Sequence, residues 1–135
     1  WSAGDWDAGR SIPQAMFAPF CAGPALSLMP GPCALPVLNP QGCPLDIVRT
    51  AELVAGAALV VTVDTMIAHL AGILGRPVWL LVKHDPDWRW PVEGARTPWY
   101  PTMRVWRQPA PGDWAAVIDR AAAALDRHPA REDCP

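Results

Sequence analysis

Asp64, Thr65 and His69 are the side chains best placed for chemistry, because they fall where one kind of element gives way to another. Asp64 closes the β-branched apolar run Ala58-Leu59-Val60-Val61-Thr62-Val63, and Thr65 opens a stretch of helical composition that stops at Gly75, with Pro77 just beyond. The first amides of a helix lack intrahelical acceptors, and the helix dipole adds partial positive charge to them, so such a junction attracts an anion. On this reading the backbone amides of Thr65, Met66 and Ile67 face a phosphate, with the Thr65 hydroxyl as a further donor. Asp64, at the strand tip, accepts hydrogen bonds from ligand hydroxyls such as those of a sugar. His69 lies at i+4 from Thr65 and shares its helix face. A plainer reading of the same residues stands beside this one: Asp64 caps the helix and His69 fills a half-buried surface.

The elements that must position these residues follow from the pattern around them. Ser11-Ile12-Pro13 opens a helix expected to run through Phe20, and Ala25 to Met29 reads as a short strand. Prolines at 30, 32, 36, 40 and 44 forbid a regular helix and permit at most a short strand near Val37-Leu38. Thr50 to Ala57 reads as a short helix, Ala58 to Val63 as a buried strand, Thr65 to Leu74 as a helix and Val78 to Val82 as a second buried strand. After a long irregular loop from Lys83 to Pro101, Met103 to Trp106 is a further strand. Asp113 then caps a helix whose Trp114, Val117, Ile118, Ala121 and Leu125 fall on one face. Helix and strand alternate, so the expected fold class is α/β: a Rossmann-like open parallel sheet with helices on both faces. Residues 1–128 form one domain on this reading, and the tail over 129–135 is disordered.

Composition narrows the function classes. The chain has 135 residues, 51% of them hydrophobic, and a formal net charge of -2, which suits one cored domain and suggests neither a disordered acidic tail nor a nucleic-acid-binding arm. Cys21, Cys33, Cys43 and Cys134 share no CxxC spacing and no nearby His pair, so they read as reduced thiols rather than metal ligands. The longest apolar stretch, Ala55 to Leu74, is interrupted by Asp64 and His69, so no membrane span is expected. No signal peptide opens the chain, which makes the cytoplasm the default location; Trp1 in place of Met suggests that the true start is missing or removed.

The stretch from Val63 to Gly72, followed by Gly75-Arg76-Pro77-Val78-Trp79, resembles the donor-site motif of the heptosyltransferase-like (family 9-type) glycosyltransferases, of the branch often fused to tetratricopeptide repeats. Asp85-Pro86-Asp87-Trp88-Arg89-Trp90, Thr97 to Arg104 and Arg107-Gln108-Pro109 resemble the same branch in the same order. Arg10-Ser11-Ile12-Pro13 and residues 46–53 match more loosely, so the likeness is specific from about Leu59 to Trp114. It implies the C-terminal half of a GT-B fold, the half that holds a nucleotide-diphosphate sugar. Asp64 would then contact the sugar, Thr65 with the amides of Met66 and Ile67 would hold the diphosphate, and His69 would support the site. The resemblance implies inverting transfer of a glycosyl group with no metal and no cofactor. The general base belongs to the N-terminal GT-B domain, so no catalytic residue is assigned to this chain, which is expected to be inactive alone. That domain and the tetratricopeptide repeats are the partners the resemblance implies.

The chain departs from the family pattern in two places. An apolar strand running into the tryptophan matching Trp1 is missing, which would leave the sheet short, and residues 30–44 lack the usual strand and helix. Trp88, Trp90, Trp99 and Trp106 admit three roles: cover for the sheet edge, stacking on a nucleobase or sugar with Arg89 or Arg96 near the phosphates, or packing on the partner domain. Asp85, Asp87 and Glu93 read as a solvated turn. The alternative function is a non-catalytic module derived from this fold, an interaction surface or a glycan binder using its tryptophans.

Overall fold

The computed structural model describes residues 5–90 and 93–128, so the expected disordered tail and Cys134 lie outside the described residues. Within them, α1 (Ile47–Gly56) leads to β1 (Val60–Val63), α2 (Met66–Ile73), β2 (Val78–Val82), β3 (Met103–Arg107) and α3 (Trp114–Leu125). The three strands form one parallel sheet in the order β1-β2-β3, with Val60 opposite Val78 and Val78 opposite Met103. Parallel pairing needs long returns: α2 supplies the first, and the irregular chain between Lys83 and Thr102 supplies the second. The fold class is α/β with a Rossmann-like open sheet flanked by helices.

Side-chain alternation along the strands divides the core in two. Trp79 and Leu81 of β2 join Val63 and Trp106 beneath Trp114, Val117, Ile118 and Ala121 of α3. Val78, Leu80 and Val82 point the other way, joining Val60 and Val105 beneath Val54 of α1 with Ala68 and Ala71 of α2. Every β2 residue is therefore buried, which is why its sequence is continuously apolar rather than alternating.

Helix ends follow local chemistry. Asp113 caps α3 as expected, its carboxylate accepting from the Ala116 amide at 3.1 Å. At α2 the chain turns out of the helix through Gly75, whose φ of +66° favours glycine and whose N–H donates to the Gly72 carbonyl at 3.1 Å. The start of α1 falls earlier than the expected Thr50, because Asp46 accepts from the Val48 and Arg49 amides at 2.8 and 3.2 Å.

Two expectations upstream are corrected. The segment opened by Pro13 is a 3-10 helix, Gln14–Cys21, with Pro19 removing a donor inside it. Ala25 to Met29 is not a strand; at Val37-Leu38, where the prolines permit at most a short strand, none forms. The Ser27 amide donates to Asn39 Oδ1 at 2.7 Å and the Ser27 carbonyl accepts from Asn39 Nδ2 at 2.8 Å, so a side-chain amide takes the place of a neighbouring strand. The flanking prolines lack the N–H groups a ladder requires. This segment packs Leu28 on the α1–α2 face of the sheet and then Leu35 on the α3 face, so it reaches both halves of the core. No helix among the described residues is long and apolar enough to cross a membrane.

Candidate anion-binding site at the start of α2

Parallel strands bring all their carboxyl ends to one side of the sheet, so Asp64 after β1 and Lys83 after β2 become neighbours. The expected strand-to-helix passage is present: β1 ends at Val63, Thr65 is the N-cap residue in extended conformation, and α2 starts at Met66. Among the described residues no side chain caps α2. The Thr65 hydroxyl turns back to the Val63 carbonyl at 3.4 Å rather than toward the helix amides. Met66 is exposed, and Ile67 is partly buried against the α1–α2 core.

Asp64 does not cap the helix. Its buried carboxylate meets Arg10, with Arg10 Nη1 at 3.4 Å from Oδ2 and at 3.1 Å from the Asp64 carbonyl oxygen. Arg10 Nε stands 3.3 Å from Asp7 Oδ2, and Lys83 Nζ lies 3.0 Å from the same oxygen. Lys83, Asp7, Arg10 and Asp64 thus alternate in charge around the carboxyl ends of β1 and β2 and balance one another. Asp64 Oδ1 accepts no hydrogen bond from the described residues, and His69 Nε2 lies 4.0 Å from it.

His69 is held from two sides. Its Nδ1 is 2.9 Å from the Tyr100 hydroxyl, and its ring stacks on Trp90 with centroids 5.5 Å apart. The bond to Tyr100 fixes the ring so that Nε2 is the nitrogen turned toward Asp64. Beside this group a recess of about 10 Å³, lined by Arg10, Asp64, Lys83, Asp87 and Trp90 among others, has room for about one water-sized group. A sugar or a phosphate would lie over the recess, against the uncapped amides of α2, and not inside it.

The other expected residues are dispersed. Arg89 pairs with Asp87 at 2.7 Å and lies over the Trp88 ring at 5.2 Å. Arg96 forms an antiparallel bridge with Arg104 on β3, which places it at the sheet edge opposite β1. Of the tryptophans, Trp90 and Trp106 are buried, whereas Trp88 and Trp99 are 76% and 55% exposed and meet edge to face at 6.3 Å. Asp7, Arg10, Lys83 and Tyr100 were not assigned to the site from the sequence, because each joins it across long stretches of chain; 54 residues separate Arg10 from Asp64. The only sequence sign of Arg10 was its place in the Arg10-Ser11-Ile12-Pro13 block.

Among the described residues, no group of three or more His, Cys, Asp or Glu side chains is arranged as metal ligands would be. The fold and this site define an α/β protein with a polar group at the carboxyl end of an open parallel sheet. In comparisons with known proteins, no family model, curated protein or solved structure matches the chain.

Proposed function

We propose that this chain binds a nucleotide-diphosphate sugar and is the donor-binding half of a heptosyltransferase-like GT-B glycosyltransferase, transferring a glycosyl group together with an N-terminal domain that carries the base. The reading rests on one observation above the others: α2 begins directly after β1 with no side chain on its first amides, and Asp64 Oδ1 beside them is without a hydrogen bond from the described residues. Diphosphate oxygens would accept from those amides, and the helix dipole would stabilise the charge that develops on the departing diphosphate. A donor hydroxyl would reach Asp64 Oδ1, whose other oxygen is already held by Arg10. His69, fixed by Tyr100 and Trp90, would stand behind the same hydroxyl.

Titrating ¹⁵N-labelled protein with uridine, guanosine and adenosine diphosphate hexoses tests the reading. At least one should shift the amides of residues 65–69, and Asp64→Asn should weaken that donor about tenfold while the melting temperature holds. A folded protein whose amides at 65–69 ignore every donor would overturn it. The exposed Trp88 and Trp99 pair favours the second reading, a glycan-binding module. Quenching of tryptophan fluorescence by oligosaccharides, with no response to nucleotide sugars, would select that one.

A further inference from the structure

A second polar concavity lies at the other edge of the sheet. β3 is flanked there by a short return of chain, in which the Ala95 carbonyl accepts from the Val105 amide at 2.8 Å and Arg96 bridges Arg104. Between this return, the end of β3 and α3 is a cavity of about 430 Å³, lined by His84, Arg104, Trp106, Arg107, Gln108 and Arg120 together with small residues. Among the described residues no carboxylate lines it, and none lines both it and the recess beside Asp64.

The wall is rich in hydrogen-bond donors. The Arg104 guanidinium lies 4.0 Å from the centroid of the Trp106 ring and has no carboxylate partner among the described residues. Arg120 donates from Nε to the Ala116 carbonyl at 3.1 Å and from Nη2 to the Arg107 carbonyl, which holds it along the cavity rim. Gln108 is 3% exposed, and its Oε1 accepts from the His84 amide at 3.1 Å and the Gly112 amide at 3.2 Å. Those two donors fix the orientation of the amide, because a flipped Gln108 would set its NH₂ against two N–H groups. Among the described residues Gln108 Nε2 is therefore a buried donor with no acceptor, and so is the indole Nε1 of Trp106, a residue 7% exposed. Native folds pair such groups, and an unpaired buried donor in a cavity wall marks a place where an acceptor belongs.

We infer that this cavity is an oxyanion site, taking a phosphoryl or carboxylate group of a small molecule. The anion accepts from the exposed Arg104 guanidinium, and its charge draws the N–H groups of Gln108 and Trp106, which are closed to solvent, toward it. Guanidinium groups match the paired oxygens of either anion, and the volume suits a ligand of mononucleotide size. The inference goes beyond the donor-binding reading and does not depend on it, since the site sits at the opposite sheet edge.

Titration of the ¹⁵N-labelled chain with inorganic phosphate and, separately, with succinate, each against sodium chloride at matched ionic strength, is the test. Saturable shifts of the Trp106 indole N–H and the Gln108 side-chain NH₂ by phosphate identify a phosphoryl site, and by succinate a carboxylate site. Arg104→Gln, at an exposed position that leaves the core intact, should weaken the responding anion about tenfold. The inference is overturned if neither anion moves those side chains beyond the chloride control, or if Arg104→Gln binds as the parent does. Because the readouts are at 104–108 and not at 65–69, failure here leaves the donor reading standing, and the reverse holds too.

Discussion

The ring of Tyr100 packs so closely over Gly72 that a Cβ built on the glycine would stand 2.5 Å from Tyr100 Cγ and 2.6 Å from Cδ1. Gly72 lies one helical turn beyond His69, whose Nδ1 meets the Tyr100 hydroxyl at 2.9 Å. The glycine lets the tyrosine close over α2, and the tyrosine then holds the histidine beside Asp64.

Gly72→Ala should therefore cost stability although alanine is the better helix former. The methyl group must push Tyr100 aside, at about 1–3 kcal/mol, against a helix-propensity gain of about 1 kcal/mol. Tyr100→Phe keeps the ring and loses only the bond to His69, at about 1 kcal/mol. Urea unfolding should show Gly72→Ala destabilised by up to about 2 kcal/mol and Tyr100→Phe by about 1 kcal/mol, and the His69 ring resonances should shift in both. His69 resonances unmoved in Gly72→Ala would show that the glycine and the tyrosine do not press on each other.

Arg10 and Asp64 should depend on each other for stability. Their side chains are 14% and 9% exposed, so removing either leaves a mostly buried charge with a partner lost. Arg10→Ala and Asp64→Ala should each cost about 1–3 kcal/mol. The double variant should cost less than the sum, with a coupling of about 1 kcal/mol in a double-mutant cycle. Strict additivity would mean that the 3.4 Å contact carries no energy. Asp64→Asn keeps an acceptor for Arg10, which makes it the variant of choice when donor binding is the readout.

Cys21 should make stability fall at alkaline pH. Burial, and then the neighbouring Cys33, push its thiol above the ordinary 9.0. The folded chain then keeps a proton that the unfolded chain releases, so the contribution is complete below pH 9.0 and is lost as pH rises through that value toward the folded one. Unfolding measured between pH 7 and about 10 should show this decline, and Cys21→Ser should flatten it relative to the parent. Alkylation of Cys21 should be slower than that of an exposed thiol at the same pH. A pH profile unchanged by Cys21→Ser would contradict the assignment.

Much of the fold, including the strand-to-helix passage at Asp64, was legible in the amino-acid sequence, because its causes are local. The apolar run at β2, the passage from Val63 through Thr65 into α2, the stop at Gly75 and the Asp113 cap each depend on residues within a turn or two of one another. Parallel strand pairing followed from the alternation of helix and strand. Where local pattern misled, at Ala25 to Met29, the backbone found Asn39 as a partner 12 residues on, and no strand-forming propensity reports that. What only the tertiary structure decided is what each polar side chain does. Asp64 reads equally well as a cap or a ligand group in one dimension; three dimensions set Arg10 against it from 54 residues upstream, and Tyr100 against His69 from 31 residues downstream. The unsatisfied donors of Trp106 and Gln108 gain meaning only through the cavity they share with Arg104. Hydrogen bonds and ion pairs act over a few ångströms of space whatever the distance along the chain, so their partners are set by packing and not by sequence neighbourhood.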